Sequence, residues 1–182
     1  LNEQDQRQLL LIARRAIITK SRDSTIDALT ASDGLKEKKG VFVTLTKGRD
    51  LRGCQGIFQN SKPLYELVPD VAYSSAYEDP RVPSIEPGEF KAINVEISVL
   101  EPNRLLEYAD DDELIQILGD TKPGVYIMKE GHNATYLPKV WEKFDHPVYF
   151  LSSLCQKGRM RSTQWQKKGV TVFTYTAQVF KE

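Results

Sequence analysis

The residues of this chain best suited to chemistry are a cysteine and an arginine two positions apart, Cys54 and Arg52, set among glycines. A β-branched and aromatic run precedes them and a short glycine-containing connector follows that run, so residues 41–58 are predicted to form a β-hairpin. Side chains alternate along a strand, which predicts Arg52 and Cys54 on one face at a Cα spacing of about 6 to 7 Å. A guanidinium there would favour the thiolate form of the cysteine.

The same segment has an alternative interpretation in which every residue is structural. Glycine within a strand often marks a bulge or the close approach of another backbone, and a lone cysteine is commonly a small buried hydrophobe. We expect Asp79 to fold back on this strand and to grip Arg52 as a bidentate pair, with Arg81 beside it. Spacing alone does not decide between an activated thiol and a structural ion pair.

The order Leu-Arg-Gly-Cys-Gln-Gly at residues 51–56 resembles the hallmark of the AMMECR family, Leu-Arg-Gly-Cys-Ile-Gly, with Gln55 in place of the usual isoleucine. Further landmarks follow in the family's order: Phe-Val-Thr-Leu at 42–45, Asp-Pro-Arg-Val-Pro at 79–83, Ala-Thr-Tyr-Leu-Pro at 134–138 and Leu-Cys-Gln-Lys-Gly at 154–158. The chain departs from the family pattern at three places: Val82 to Ser84 after Arg81, Asn133 before Ala134, and Phe144 before Asp145.

The resemblance covers most of the chain and implies an α+β fold arranged as a larger and a smaller lobe. A cleft between such lobes would be the natural place for a ligand. The resemblance also implies a shared pathway with Memo-type and radical-SAM proteins, which makes such a protein an expected partner. It names neither a substrate nor a reaction.

Bulk composition is that of an ordinary globular protein, with 182 residues, 40% hydrophobic and 27% charged. We expect a single domain across residues 1–182, with room for two lobes. No apolar run is long enough for a membrane helix and the first residues are too polar for a signal peptide, so the predicted compartment is the cytoplasm. Two cysteines, Cys54 and Cys155, do not make a disulfide framework.

Helices and strands are predicted in mixed order, without a regular βαβ alternation. The clearest helix covers residues 64–76, where apolar side chains recur at helical spacing, and the clearest strand covers residues 93–99, where they alternate. A second hairpin is predicted around residues 130–133. This pattern predicts an α+β fold with a largely antiparallel sheet flanked by helices.

Several site classes are disfavoured by residue type and spacing. The histidines and cysteines are scattered, so no metal site is predicted, and the glycines at 53 and 56 do not form a phosphate loop. The formal net charge of zero argues against a generic nucleic-acid binder. Charge is nevertheless uneven, because residues 101–120 are strongly acidic whereas residues 146–181 contain no acidic residue.

Two functions stay open. In the first, the protein is an enzyme or enzyme subunit that binds a small polar or anionic molecule in a cleft lined by residues 51–56, with Cys54 and Arg52 as catalytic residues. Ligand contacts would then come from five residues: Gly53, Gln55, Gly56, Asp79 and Arg81. In the second, it is a binding module whose motif only shapes the hairpin, and a protein or RNA partner docks on the cleft or on a flat basic patch. That patch would consist of Arg159, Arg161, Trp165, Lys167 and Lys168. The sequence does not identify a cofactor for either function.

Overall fold

The structure is a computed structural model that describes residues 1–59 and 61–182. The chain divides into two compact units, the first formed by residues 1–100 with 178–182 and the second by residues 101–177. In chain order the elements are α1 (Glu3–Thr19), α2 (Asp33–Lys36), β1 (Val41–Lys47), β2 (Asp50–Ile57), α3 (Leu64–Tyr77), β3 (Ile93–Leu100), β4 (Arg104–Leu105), α4 (Asp111–Thr121), β5 (Gly124–Lys129), β6 (His132–Tyr136), α5 (Pro147–Lys157), β7 (Thr171–Tyr175) and β8 (Ala177–Lys181).

The first unit is built on a four-stranded sheet with the order β2-β1-β3-β8, in which β1 pairs antiparallel with both β2 and β3. Alternate residues of β1 are fully buried, and they face the apolar stripes of α1 and α3. The predicted helix at residues 64–76 and the predicted strand at residues 93–99 are both present. Because β2 lies at the edge of this sheet, one side of its backbone has no neighbouring strand within residues 1–59 and 61–182.

The second unit has its own four-stranded sheet, with the order β4-β7-β5-β6 and antiparallel pairing of β7 with β4 and of β5 with both β6 and β7. Its core is formed by α4 and α5 against the sheet, and the ring of Phe150 stacks on that of Trp141 with centroids 3.6 Å apart. The predicted second hairpin is β5 and β6, joined by Glu130 and Gly131 in left-handed backbone conformations. Helices combined with two antiparallel sheets confirm the α+β prediction.

One residue assigned to the exposed basic patch has a different environment. Trp165 is only 3% exposed and belongs to the core of the second unit, where its indole N–H donates to the hydroxyl of Ser152 at 3.4 Å. Its predicted place in a flat binding surface is therefore wrong. In the part of the chain that the structure describes, every helix is too short or too polar to cross a bilayer.

Candidate functional site

The hallmark segment forms most of the edge strand β2, and the strand carries a bulge within it. Thr44 pairs with Cys54 and Leu45 with Gly53, whereas the next residue of β1, Thr46, pairs with Leu51. Arg52 is therefore the extra residue on β2. Strict alternation of side chains does not continue through a bulge, so the spacing argument that placed Arg52 beside Cys54 fails at this residue.

Gly53 lies where helix α3 passes closest to the strand. A Cβ atom on Gly53 would lie 1.8 Å from the carbonyl oxygen of Ser75, which is shorter than any real contact. The hydroxyl of Ser75 is fully buried, accepts the backbone N–H of Gln55 at 3.0 Å and lies 2.9 Å from the carbonyl oxygen of Val43. Glycine at position 53 thus allows α3 to bond directly to the hairpin.

Glycine at position 56 is explained by a different contact, which comes from the opposite strand of the hairpin. It pairs with Phe42 of β1, and a Cβ on Gly56 would lie 2.2 Å from the nearest atom of the Phe42 ring. The ring of Phe42 therefore covers the glycine. Both glycines of the hallmark have a packing role in this fold.

Asp79 and Arg81 bind the backbone of Cys54 at the open edge of the sheet. The Asp79 carboxylate accepts the Cys54 N–H at 2.9 Å, and Arg81 Nη2 donates to the Cys54 carbonyl oxygen at 2.7 Å. The two side chains also bind each other, since Arg81 Nε and Nη2 donate to the Asp79 carboxylate at 2.9 and 2.6 Å. They satisfy the backbone groups that a further strand would otherwise pair with, and they fix the position of Cys54.

Burial and charge differ sharply between these two partners. The Asp79 side chain is 1% exposed, whereas that of Arg81 is 58% exposed. Hydrogen bonds from the Arg81 guanidinium and from the Cys54 and Arg81 backbone N–H groups lower the pKa of Asp79 from its ordinary 3.8 to about 2. The hydrogen bond to Asp79 raises the pKa of Arg81, and the nearby Cys54 adds to that shift. The site thus holds a buried carboxylate and a solvent-facing cation.

The predicted pair between Arg52 and Asp79 is wrong, because Arg52 binds Glu89 instead. Arg52 Nε and Nη2 donate to the two carboxylate oxygens of Glu89 at 3.1 and 2.7 Å. Arg52 Nη1 also donates to the carbonyl oxygen of Pro83 at 3.3 Å. The arginine thus links β2 to the proline-rich loop, the segment of residues 78–92 between α3 and β3 that contains three prolines. The bidentate contact lowers the pKa of Glu89 to about 2, helped by the Glu86 N–H. Arg52 and Arg81 therefore pair with different carboxylates.

The Cys54 side chain is partly exposed, and the hydroxyl of Thr44 lies beside it, with Oγ1 and Sγ 3.4 Å apart. Thr44 is paired in turn with Glu96 of β3, so a thiol, a hydroxyl and a carboxylate occupy one row across three strands. The cation beside Cys54 is Arg81. A thiol in this setting is reachable from solvent and has a positive charge close by, the two conditions that a reactive cysteine needs.

Gln55 and Gly56 also line a small cavity on the side of the strand that faces α3. Its volume is about 160 Å³, and Arg22, Asp70 and Ser74 complete its polar wall. Arg22 is already held by Asp70 and Glu78 in ion pairs and stacks on the ring of Tyr73 at 4.2 Å. The cavity is therefore polar, small and neutralised by its own charges.

Cys155 and the histidines have roles outside this site. Cys155 is fully buried in the second unit, and burial raises the pKa of its thiol. His146 caps helix α5, where its Nδ1 accepts the Val148 N–H at 3.2 Å. Among residues 1–59 and 61–182, no three His, Cys, Asp or Glu side chains are grouped as metal ligands. Asp79, which accepts the Cys54 N–H, is also engaged by the Arg81 guanidinium and the Arg81 backbone.

Three residues of the site were not singled out from the sequence: Thr44, Ser75 and Glu89. Ser75 carries a recognisable signal, because it is a hydroxyl in an otherwise apolar helical stripe and must find a partner when buried. Thr44 carries none, because a regular hairpin with its connector at residues 47–50 places Thr44 opposite Gly53, and only the bulge at Arg52 brings it opposite Cys54. Glu89 carries none, since its position depends on the path of the proline-rich loop.

Comparisons with known proteins agree with this fold. A family model for AMMECR1 matches residues 10–180. The chain is 33% identical over 183 residues to a protein of Methanopyrus kandleri, covering 96% of this chain and 86% of the relative. It is 35% identical over 190 residues to a protein of Methanosarcina mazei, covering 100% and 94%. It resembles the crystal structure of an uncharacterized protein from Pyrococcus horikoshii with a TM-score of 0.88 and 30% identity, covering 100% of this chain and 93% of that one.

Proposed function

The chain belongs to the AMMECR1 family, and from this premise we propose that it is an enzyme, or a subunit of one, that binds a small polar or anionic molecule beside Cys54. One observation carries the proposal: a partly exposed thiol is fixed at a sheet edge by an aspartate–arginine pair whose guanidinium faces solvent. An arrangement that only sealed the edge would not need a thiol at this position.

In this proposal Cys54 is the reacting group and Arg81 replaces Arg52 as its cation. The guanidinium offers its remaining donors to an anionic group of the ligand. Asp79 is a positioning residue, because it touches Arg81 and the Cys54 backbone and is itself buried. Arg52 holds the proline-rich loop in place through its ion pair with Glu89. Gly53, Gln55 and Gly56 shape the strand that presents the thiol.

The pathway is proposed from the family resemblance alone. Memo-type and radical-SAM proteins are the expected functional neighbours, acting before or after this protein on a common small molecule. A direct complex with either is a separate prediction, which co-purification of the expressed pair tests.

The test is a thermal-shift screen of the full chain against polar and anionic metabolites, repeated with Arg81→Gln and Cys54→Ser. Lys167→Gln/Lys168→Gln is the matched control, since it removes charge from the other unit. A binding site beside Cys54 is supported if a ligand raises the melting temperature of the wild type and Arg81→Gln abolishes this stabilisation. Cys54→Ser should retain the stabilisation, and the control should leave it unchanged. Mass spectrometry of the wild type with a bound electrophilic analogue then detects an adduct on Cys54. A ligand effect that survives Arg81→Gln contradicts the proposal.

A second candidate function has specific support as well. The close approach of the Ser75 backbone requires glycine at position 53, and the ring of Phe42 requires glycine at position 56. The backbone N–H and carbonyl oxygen of Cys54 are hydrogen-bonded to Asp79 and Arg81. These contacts explain the hallmark segment without any reaction and favour a binding module. If no electrophile labels Cys54 faster than an unfolded-chain peptide of the same sequence, and no metabolite stabilises the chain, this second function is preferred.

A further inference from the structure

A basic cavity in the second unit lies apart from the Cys54 site and has no role in the function proposed above. It has a volume of about 220 Å³ and is lined by Lys129, Glu130, His132, Arg159, Met160, Arg161 and Gln164. Three cations and a histidine thus surround a concavity that contains a single carboxylate. We propose that this cavity binds a phosphate group.

Two separate elements bring these side chains together. Lys129 and His132 are paired residues at the tip of the β5–β6 hairpin, directly before and after its two-residue turn. Arg159 and Arg161 follow the C-terminal end of α5, where Arg159 has a left-handed backbone conformation with φ of 58°. The sequence separates the two pairs by about 30 residues, so the basic cavity exists only in the folded unit.

Gly158 lies where the end of α5 packs against the hairpin. A Cβ on Gly158 would lie 3.2 Å from both the Ala134 side chain and the Asn133 carbonyl oxygen, so the helix end packs directly on β6. The backbone N–H groups of Gly158, Arg159 and Met160 bind the carbonyl oxygens of Leu154, Gln156 and Cys155. These bonds leave fewer helix carbonyls facing the cavity, where they would repel an anion.

The two guanidinium groups are available to a ligand. Within residues 1–59 and 61–182, neither the Arg159 nor the Arg161 side chain has a hydrogen-bond or ion-pair partner, and both residues are exposed. Lys129 is oriented by the bond from its Nζ to the carbonyl oxygen of Lys168 at 2.9 Å. Arginine presents a planar fork that matches phosphate oxygens, and a dianionic phosphate balances the surplus positive charge better than a single carboxylate does.

The structure also separates this cavity from the other lysines of the basic C-terminal segment. Lys167 and Lys168 line a different cavity of about 540 Å³, together with the acidic residues Glu107, Asp110 and Asp111. Charges of both signs meet there. The pair Lys167 and Lys168 is therefore a matched control, because it carries the same charge on the same unit without surrounding the proposed site.

The chain contains two histidines, which allows binding to be localised by NMR. With inorganic phosphate, pyrophosphate or a sugar phosphate as the probe, we expect saturable shifts of the His132 imidazole signals and none at His146, which caps α5. Arg159→Asn/Arg161→Gln should weaken binding about tenfold or more, because each charge-assisted contact is lost, whereas Lys167→Gln/Lys168→Gln should change it by less than about twofold. Asparagine is chosen at 159 because it tolerates the left-handed conformation.

A second variant, Lys129→Gln/Arg161→Gln, retains Arg159 and keeps the test valid if the first variant fails to fold. A short RNA added in parallel identifies the source of the phosphate. If the RNA shifts the His132 signals and the small phosphates do not, the phosphate that binds is that of a nucleic-acid backbone. Citrate binding as tightly as pyrophosphate overturns the proposal. The absence of a saturable shift at His132 with every phosphate compound also overturns the proposal. Equal weakening of binding in the lysine control overturns it too.

Discussion

The carbonyl oxygen of Ser75 occupies the space where a side chain of residue 53 would begin, so that a Cβ there would approach it to 1.8 Å. This contact joins helix α3 to the edge strand β2 at one point, and the Ser75 hydroxyl extends the junction to Gln55 and Val43. Cys54 is the residue that follows Gly53. The depth at which the helix packs therefore sets the position of the thiol.

Gly53→Ala should destabilise the first unit by about 3 kcal/mol or more, because the methyl group meets backbone that cannot move without shifting a helix. Urea unfolding followed by circular dichroism measures the change. Gly88→Ala is the control, since a Cβ there meets nothing within 4 Å, and its effect should stay within about 0.5 kcal/mol. Equal stability of the two variants would show that α3 is not packed as closely as described.

Asp79→Asn should destabilise the protein by about 1 to 3 kcal/mol, because the amide keeps the volume but loses the charge-assisted bonds to Arg81. It should also change the pH dependence. The folded pKa of about 2 lies below the ordinary 3.8, so the unfolded chain takes up the proton first. Stabilisation by Asp79 is thus complete above about pH 5 and is lost as the pH falls towards 2, a contribution of about 2 kcal/mol.

The measurement is the urea midpoint of wild type and Asp79→Asn between pH 2 and pH 6. The two curves should converge as the pH falls, and the difference should be constant above about pH 5. Asp50→Asn serves as the control, since that aspartate is exposed on the same strand. A constant difference at all pH values would mean that the Asp79 carboxylate contributes through shape rather than charge.

The helices and strands were predictable because each depends on local periodicity. The stripe of α3 and the alternation of β3 are visible in single stretches of sequence, and the core uses the same residues. The ion-pair partner of each charged residue was harder to predict from the sequence. Asp79 is the acid predicted for Arg52 because it lies just beyond the helix expected to pack on this strand, yet its carboxylate is engaged by Arg81 two residues away. The acid that Arg52 does bind is 37 positions along the chain.

Two further differences have the same physical origin, namely contacts that arise only in three dimensions. The bulge at Arg52 depends on how β2 pairs with β1, so alternation along one strand did not reveal it. Trp165 lies in a segment rich in lysine, which favoured an exposed site, but burial of its large ring in the same core as Phe150 and Leu154 outweighed its polar neighbours. In both cases the local sequence was consistent with more than one structure.

Arg52→Gln should loosen the loop around Glu89 without moving the thiol, because Arg52 links β2 to that loop and Arg81 holds Cys54 independently. Hydrogen exchange of backbone amides in residues 84–90 should become faster, while that of the Cys54 amide stays protected by Asp79. Arg81→Gln should give the opposite pattern. Equal effects of both variants on the Cys54 amide would show that the two ion pairs act as one unit.

The two cysteines should differ strongly in their rate of alkylation in the folded protein. Cys54 is partly exposed and lies beside the Arg81 guanidinium, whereas Cys155 is fully buried and its pKa is raised by burial. Iodoacetamide at neutral pH should therefore modify Cys54 at least about tenfold faster, since only an accessible thiolate reacts. Peptide mapping by mass spectrometry at successive times gives both rates from one sample.

In 6 M guanidinium chloride the difference between the two rates should disappear, which assigns the difference to the fold. Arg81→Gln should slow the alkylation of Cys54 alone. Equal rates in the native protein, or faster reaction of Cys155, would exclude Cys54 as an activated thiol.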